Sequence, residues 1–253
     1  MSRRAESIEL PFRLGRDFEA PGIEPGGSEA LLVETQVAAT VQILSEDDSL
    51  ARTVEVADHA HSLHGTLLEA WRGAEAATLA CREGCAFCCS LNVTVTIPEV
   101  FRILDELRRQ RPRQELPGVL GNAREYAARV STLSGEERDR MRRPCPLLAA
   151  DRCAVHPFRP LACRGWNSFD ATACERDSLH PEEDASVEIP AAPFSIARAL
   201  AFGIVAGLHL CGLQHDFVHL PSALALGLDE PLTELHARWR RGEPAFQAAI
   251  EHG

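Results

Sequence analysis

The chain contains no lysine: all 26 of its basic residues are arginine. Without lysine there is no Schiff base and no pyridoxal-phosphate catalysis, and no Walker-type lysine to hold nucleotide phosphates. No apolar run reaches the roughly 18 residues needed to span a bilayer, so no membrane span is expected. The N-terminus, Met1 to Ser7, carries Arg3 and Arg4 but no apolar stretch behind them. That is not the pattern of a secretory leader, and a cytoplasmic location is the expectation. Positive charge is in deficit. A net charge of −11 is repelled by phosphate backbones, so nucleic acid is not expected as a partner. There is no internal repeat and no alternation of strands and helices of the doubly wound or barrel kind.

What is present is helical periodicity around a cysteine-rich centre. The 253 residues, 45% hydrophobic and 25% charged, suffice for one large or two small domains with a real core. Residues 1–27 are rich in Pro and Gly and read as an irregular arm. Leu31, Leu32, Val37, Val41 and Leu44 predict a helix with Ser28 as its N-cap. A second helix is predicted over about 49–80. It carries His59, His61 and His64, read as a solvated or partner-facing surface because no acidic orienter is evident in the sequence. Thr96, Pro98 and Glu99 signal the start of a third helix with Val100, Ile103, Leu104 and Leu107 as its buried stripe. Further helices are predicted over about 116–133, from Ser134, and over 194–213, 220–228, 230–241 and 243–251. The fold class is mainly α: a helical protein around an irregular, loop-rich cysteine-cluster metal-binding centre. Three segments follow: an N-terminal arm and helices (1–80), a cysteine-cluster domain (81–180) and a C-terminal helical region (181–253).

Nine cysteines occur in the chain. An odd number at this density, with no export signal, points to metal ligation rather than disulfides. The first block holds Cys81, Cys85, Cys88 and Cys89. Two residues separate Cys85 from Cys88, so a tight turn can aim both sulfurs at one ion. Were the second helix to continue this far, Cys81 and Cys85 would share one of its faces. Cys88 and Cys89 are adjacent, which leaves Cys89 either in a second centre or beside the first. The second block holds Cys145, Cys153, Cys163 and Cys174, spaced too widely for a turn chelate and suited to successive loops. Prolines 144, 146, 157 and 160 restrict those loops. His156 is a candidate nitrogen ligand. Arg82, Arg152, Arg159 and Arg164 flank the cysteines and can offset thiolate charge, with Arg164 the favoured cofactor-binding residue. Cys211 stands apart in an apolar helix and reads as core.

The run Cys81-x3-Cys85-x2-Cys88-Cys89, followed by Val93-x-Val95-Thr96-x-Pro98-Glu99, resembles the opening of the YkgJ-like cysteine-cluster family. Pro144-Cys145-Pro146-Leu147-Leu148, Cys153-Ala154-Val155-His156 and Arg159-Pro160-Leu161-Ala162-Cys163-Arg164 then follow in the family's order. Leu147 stands where Phe is usual and His156 where Tyr is usual. The resemblance covers about residues 81–175 and implies chelation of zinc or iron by eight cysteines. The flagellin lysine methylases are similar in this region, which brings methyl transfer into view.

Three functions compete. The first is a protein that binds zinc or an iron–sulfur cluster, with irregular cysteine spacing favouring the cluster. The second is an iron–sulfur enzyme, since Cys81-x3-Cys85-x2-Cys88 has the spacing of radical S-adenosylmethionine enzymes. The third is a metal-stabilised interaction or metal-delivery module, with Trp71 and Trp239 as anchors for a protein partner.

Overall fold

A computed structural model describes residues 12, 14–75, 78–110, 116–183 and 186–250. Ten α-helices and four two-residue strands account for the regular structure of these residues, so the mainly α expectation holds. Helix α1 (Ser28–Glu46) and helix α2 (Leu50–Glu75) come first. Ser28 is the first residue of α1, and Gly27 is its N-cap. The buried face of α1 is Ala30, Val33, Gln36, Val37, Thr40, Ile43 and Leu44, while Leu31 is 64% exposed. Residues 78–80, within the predicted span of the second helix, are not helical.

Strand β1 (Thr94–Val95) leads into α3 (Ile97–Gln110), followed by α4 (Leu116–Val130) and α5 (Gly135–Arg140). Ser134 caps α5 through a capping box with Glu137, as the sequence order Ser-x-x-Glu requires. Strands β2 (Leu148–Ala149) and β3 (Arg152–Cys153) form an antiparallel hairpin, followed by α6 (Leu161–Gly165) and α7 (Ala171–Leu179). The C-terminal part holds α8 (Ala191–Leu210), β4 (Val218–His219), α9 (Leu220–Asp229) and α10 (Leu232–Arg240). The helix predicted over 243–251 is a single 3₁₀ turn, Gln247–Ala249.

The larger of two hydrophobic clusters collects Ile43 and Val56 from the first two helices, Phe101 and Leu104 from α3, Leu161 from α6, Leu200 and Ile204 from α8, and Leu224, Leu235 and Trp239 from the last two helices; the other packs Phe12, Leu14, Ala20 and Ile23 against α1 and α8. Strand β4 pairs antiparallel with β1, Thr94 opposite His219 and Val95 opposite Val218. The C-terminal region is thereby fastened to the strand that follows the first cysteine block. Trp239 is fully buried and donates its indole N–H to the Gln214 carbonyl; it is part of the core and not a surface anchor.

Helix α8 is long and apolar enough to cross a membrane by length and composition, and more than half of it is buried inside the protein. Its faces pack against α1, α2 and α6. Against α1 it presents Gly203 and Gly207, four residues apart on one face. A Cβ on Gly203 would lie 2.5 Å from Gln36 Cβ and 2.8 Å from the Val33 carbonyl oxygen, and one on Gly207 would lie 2.6 Å from Thr40 Cβ. The two backbones approach at these glycines because no side chain keeps them apart. Overpacking a seam of this kind costs about 1–3 kcal/mol. Gly203→Ala should therefore lower the urea unfolding midpoint with an unchanged m-value; an unaltered midpoint would show that the seam yields freely.

Of the histidine trio on α2, His59 is exposed as expected, whereas the other two are not a solvated surface. His61 and His64 are buried, and His59 Nδ1 lies 3.0 Å from Gln36 Oε1. His64 donates Nε2–H to the Pro193 carbonyl at 3.3 Å. Burial lowers the pKa of His64, His219 and His236 to about 4 each. The unfolded chain, with ordinary histidines near 6.5, therefore takes up more protons below that pH. Stability is complete above about pH 6.5 and is lost as pH falls toward 4, by on the order of 1 kcal/mol per pH unit for each group. Denaturant titrations of the metal-free protein, followed by tryptophan fluorescence, should show the midpoint falling over this window. A flat profile would contradict the buried neutral state.

Candidate metal centre

Both cysteine blocks fold into one region, tied at the backbone. The Cys145 N–H donates to the Cys89 carbonyl at 2.8 Å, and the Arg143 N–H to the Ser90 carbonyl at 3.0 Å. In the first block Cys81 and Cys85 lie in the irregular segment after α2, so they do not share a helical face; Cys88 and Cys89 sit in a 3₁₀ turn, Phe87–Ser90. Gly84, at φ +82°, turns the chain between Cys81 and Cys85 in a conformation that side chains resist.

The second block is more regular than loops alone. Cys153 lies on β3 and Cys163 on α6. Cys174 lies on α7, whose N-cap Asp170 accepts the Thr172 and Ala173 N–H groups. Ala150 and Asp151 join β2 to β3, both with positive φ. This is the two-residue hairpin turn that favours Asn-Gly or Asp-Gly, and alanine fits its first position poorly.

The thiols fall into two electrostatic neighbourhoods. A charge on Cys163 would be opposed by charges on Cys145, Cys88 and Cys153, and one on Cys174 by charges on Cys81, Cys85 and Cys88. Cys88 borders both. Its thiol is pushed up first by a hydrogen bond with the Cys89 thiol and then by burial. Burial raises Cys145 to about 11 and carries Cys163 well above the ordinary thiol range. Without metal these sulfurs hold their protons at neutral pH. Among the described residues no three cysteine sulfurs lie within 4.8 Å of one another; the grouping that does is the exposed surface set His180, Glu182 and Glu183.

Arg159 is the guanidinium that faces the sulfurs, drawing down the pKa of Cys88, Cys153 and Cys163 against the effect of their burial. Arg164 is spent largely on the backbone, donating to the Arg159 carbonyl at 2.8 Å and the Pro157 carbonyl at 2.6 Å. It closes the loop that carries Arg159. Arg82 and Arg152 are exposed, and Arg152 lies 3.8 Å from Glu83. His156 is exposed, and its Nε2 accepts from Arg159 at 2.7 Å, so that nitrogen is engaged away from the sulfurs. Cys211 is the C-cap of α8, partly buried against the core and outside both neighbourhoods.

The residue that sequence reasoning missed is Glu99. It is 1% exposed. Its Oε1 accepts from His61 Nε2–H at 3.1 Å and from the Leu161 N–H at 2.6 Å; its Oε2 accepts from the Thr96 N–H and hydroxyl, both at 2.9 Å. Burial by itself raises the pKa of this carboxyl. The bonds from His61, Leu161 and Thr96 outweigh burial and hold it below the ordinary glutamate value. Glu99 is the acidic partner that the α2 histidines lacked in the sequence. Its cap on Thr96 was legible from spacing; its bond to His61, 38 residues away, was not.

The donor set fits a thiophilic metal. Eight thiols converge, and a bound metal would replace the protons that burial otherwise retains. Strain in the hairpin beside Cys153 gives a local test. Ala150→Gly removes a left-handed alanine and should raise the stability of the metal-free protein by about 0.5–1 kcal/mol; a lower thermal midpoint would mean that the turn is not strained.

Comparison with known proteins agrees with this arrangement. Residues 80–179 match the model of the CxxCxxCC family, described as "Putative zinc- or iron-chelating domain". No curated protein and no solved structure gives a significant match to the chain. The match takes in both cysteine blocks and none of α1, α2 or α8–α10. Residues 80–179, which hold both cysteine blocks, are thus similar to this zinc- or iron-chelating family over about two fifths of the chain.

Proposed function

We propose that this chain is an iron–sulfur protein whose cluster is held by cysteine thiolates, with Cys88, Cys145, Cys153 and Cys163 as one set. Cys81, Cys85 and Cys174 make the second, and Cys89 lies beside Cys88. The observation that carries this reading is an all-thiol donor set gathered from separate segments, with Cys145, Cys88 and Cys153 around Cys163. Iron–sulfur clusters take four thiolates at irregular spacing, whereas closed zinc sites are typically built from closely spaced cysteine pairs. When bound, it supplies one-electron chemistry.

The chain's own residues shape that chemistry. Arg159 offsets thiolate charge over the first set, which favours the ionised sulfurs that a metal requires. The Cys88–Cys89 hydrogen bond keeps the vicinal thiols paired until metal displaces a proton. A cytoplasmic, reducing setting is part of this reading, since eight free thiols persist there. Of the two anchors expected for an interaction or metal-delivery module, Trp239 is core and Trp71 is part-exposed on α2. Of the radical-enzyme motif, Cys81 and Cys85 neighbour Cys174, and Cys88 borders both sets.

Anaerobic purification followed by iron, zinc and acid-labile sulfide analysis, with the visible spectrum, tests the proposal. Iron with equimolar sulfide and a brown chromophore is expected. Colourless protein with stoichiometric zinc and no sulfide would overturn the cluster and leave chelation standing. Cys145→Ser and Cys163→Ser should each remove most of the metal, and Cys211→Ser should remove none. Equal losses in all three would mean that the variants act through folding.

A further inference from the structure

We propose that Cys163 is clamped between Glu99 on α3, which positions it, and the helices α2 and α8 that lie outside the cysteine domain. The inference rests on the reading that these cysteines hold a metal, and it assigns the flanks a part in that site.

Helix α6 has five residues, Leu161–Gly165. A helix that short does not persist by itself in water. Something else must hold it, and it is pinned at both ends. At its N-terminus the Leu161 N–H meets Glu99 Oε1 at 2.6 Å, and His61 on α2 donates to the same oxygen. At its C-terminus Gly165 lies flat against α8. A Cβ there would sit 2.6 Å from Ala197 Cβ and 3.1 Å from the Pro193 carbonyl oxygen. That same carbonyl accepts from His64 on α2, so the two pins join. Cys163 is the third residue of α6, between them.

The remaining sulfurs are placed from within the domain. Cys145 is tied to Cys89, and Cys153 lies in the β2–β3 hairpin. Helix α7, which carries Cys174, is held by Arg142 on Asp177 at 2.9 Å and by Ser90 on Ser178 at 3.1 Å. Cys163 is the sulfur whose backbone is fixed by α2 and α8. A ligand atom must be held within about half an ångström to keep its place in a coordination shell, so slack in either pin should be felt at this sulfur first.

The test uses the full chain. Glu99→Ala removes the N-terminal pin. Glu99→Gln leaves an oxygen for Leu161 and His61 and an amide N–H that the Thr96 hydroxyl can accept, so it gives up only the bond from the Thr96 N–H. Gly165→Ala pushes the C-terminal end off α8. The rate of alkylation of each cysteine in the metal-free protein is read by peptide mass spectrometry. The intensity of thiolate-to-cobalt charge transfer is read after loading with Co(II). Glu99→Ala and Gly165→Ala should speed alkylation of Cys163 roughly tenfold or more, leave Cys145 and Cys153 near their wild-type rates, and lower the cobalt–thiolate intensity by one thiolate's share. Glu99→Gln should stay close to wild type. Uniform acceleration at all cysteines, or none at Cys163, overturns the clamp. Failure of the wild-type chain to take up any metal would instead strike the proposed function, and the alkylation pattern would still decide the clamp.

Discussion

A single carboxylate joins the parts of this protein. Glu99 is buried, ionised and fully engaged, and its four bonds come from three places: the start of its own helix, α2, and the short helix that bears Cys163. A buried charge is tolerated only when it is paired and hydrogen-bonded on every side. The packing of α2 against α3, and of α6 against both, is therefore not independent of the electrostatics. Each partner must be in place for the others to be stable. The neighbouring Arg102 extends the same layer, bonded to Asp58 and Glu106 and stacked 3.7 Å over the Phe158 ring. Phe158 immediately precedes Arg159, the guanidinium that faces the thiols.

The cysteine region is held in two ways. Local backbone bonds and a hairpin set most of its sulfurs, and long-range packing sets Cys163. Burial raises the cost of charging these thiols while Arg159 lowers it. The balance keeps protons on the sulfurs without metal and makes chelation an exchange of protons for metal. The close seam of α1 on α8, made by Gly203 and Gly207, supports the same end, because α8 also backs Gly165.

Much of this was legible before the structure. The helices follow from apolar spacing and from caps such as Ser134 with Glu137 and Thr96 with Glu99. The eight cysteines stood out by spacing, and Cys211 by its isolation. What failed to show was long-range. His61 and His64 look like surface residues on α2 because their partners, Glu99 and the Pro193 carbonyl, are 38 and 129 residues away. Arg164 draws attention by following Cys163; it braces the loop and its charge also interacts with Cys163, while Arg159 acts on Cys88, Cys153 and Cys163. No local pattern distinguishes two guanidiniums five residues apart, one just before α6 and one on it.

The sequence by itself determined the ligand chemistry and the helical class, because thiol count, spacing and apolar period are properties of neighbouring residues. It also excluded every mechanism that needs lysine. Only the tertiary structure decided which sulfurs share a neighbourhood, which arginine opposes their charge, and that a glutamate in the third helix fixes the helix of a cysteine 64 positions later. Those facts depend on which distant segments pack together. Packing is set by the whole buried surface at once, so no stretch of the chain carries it alone.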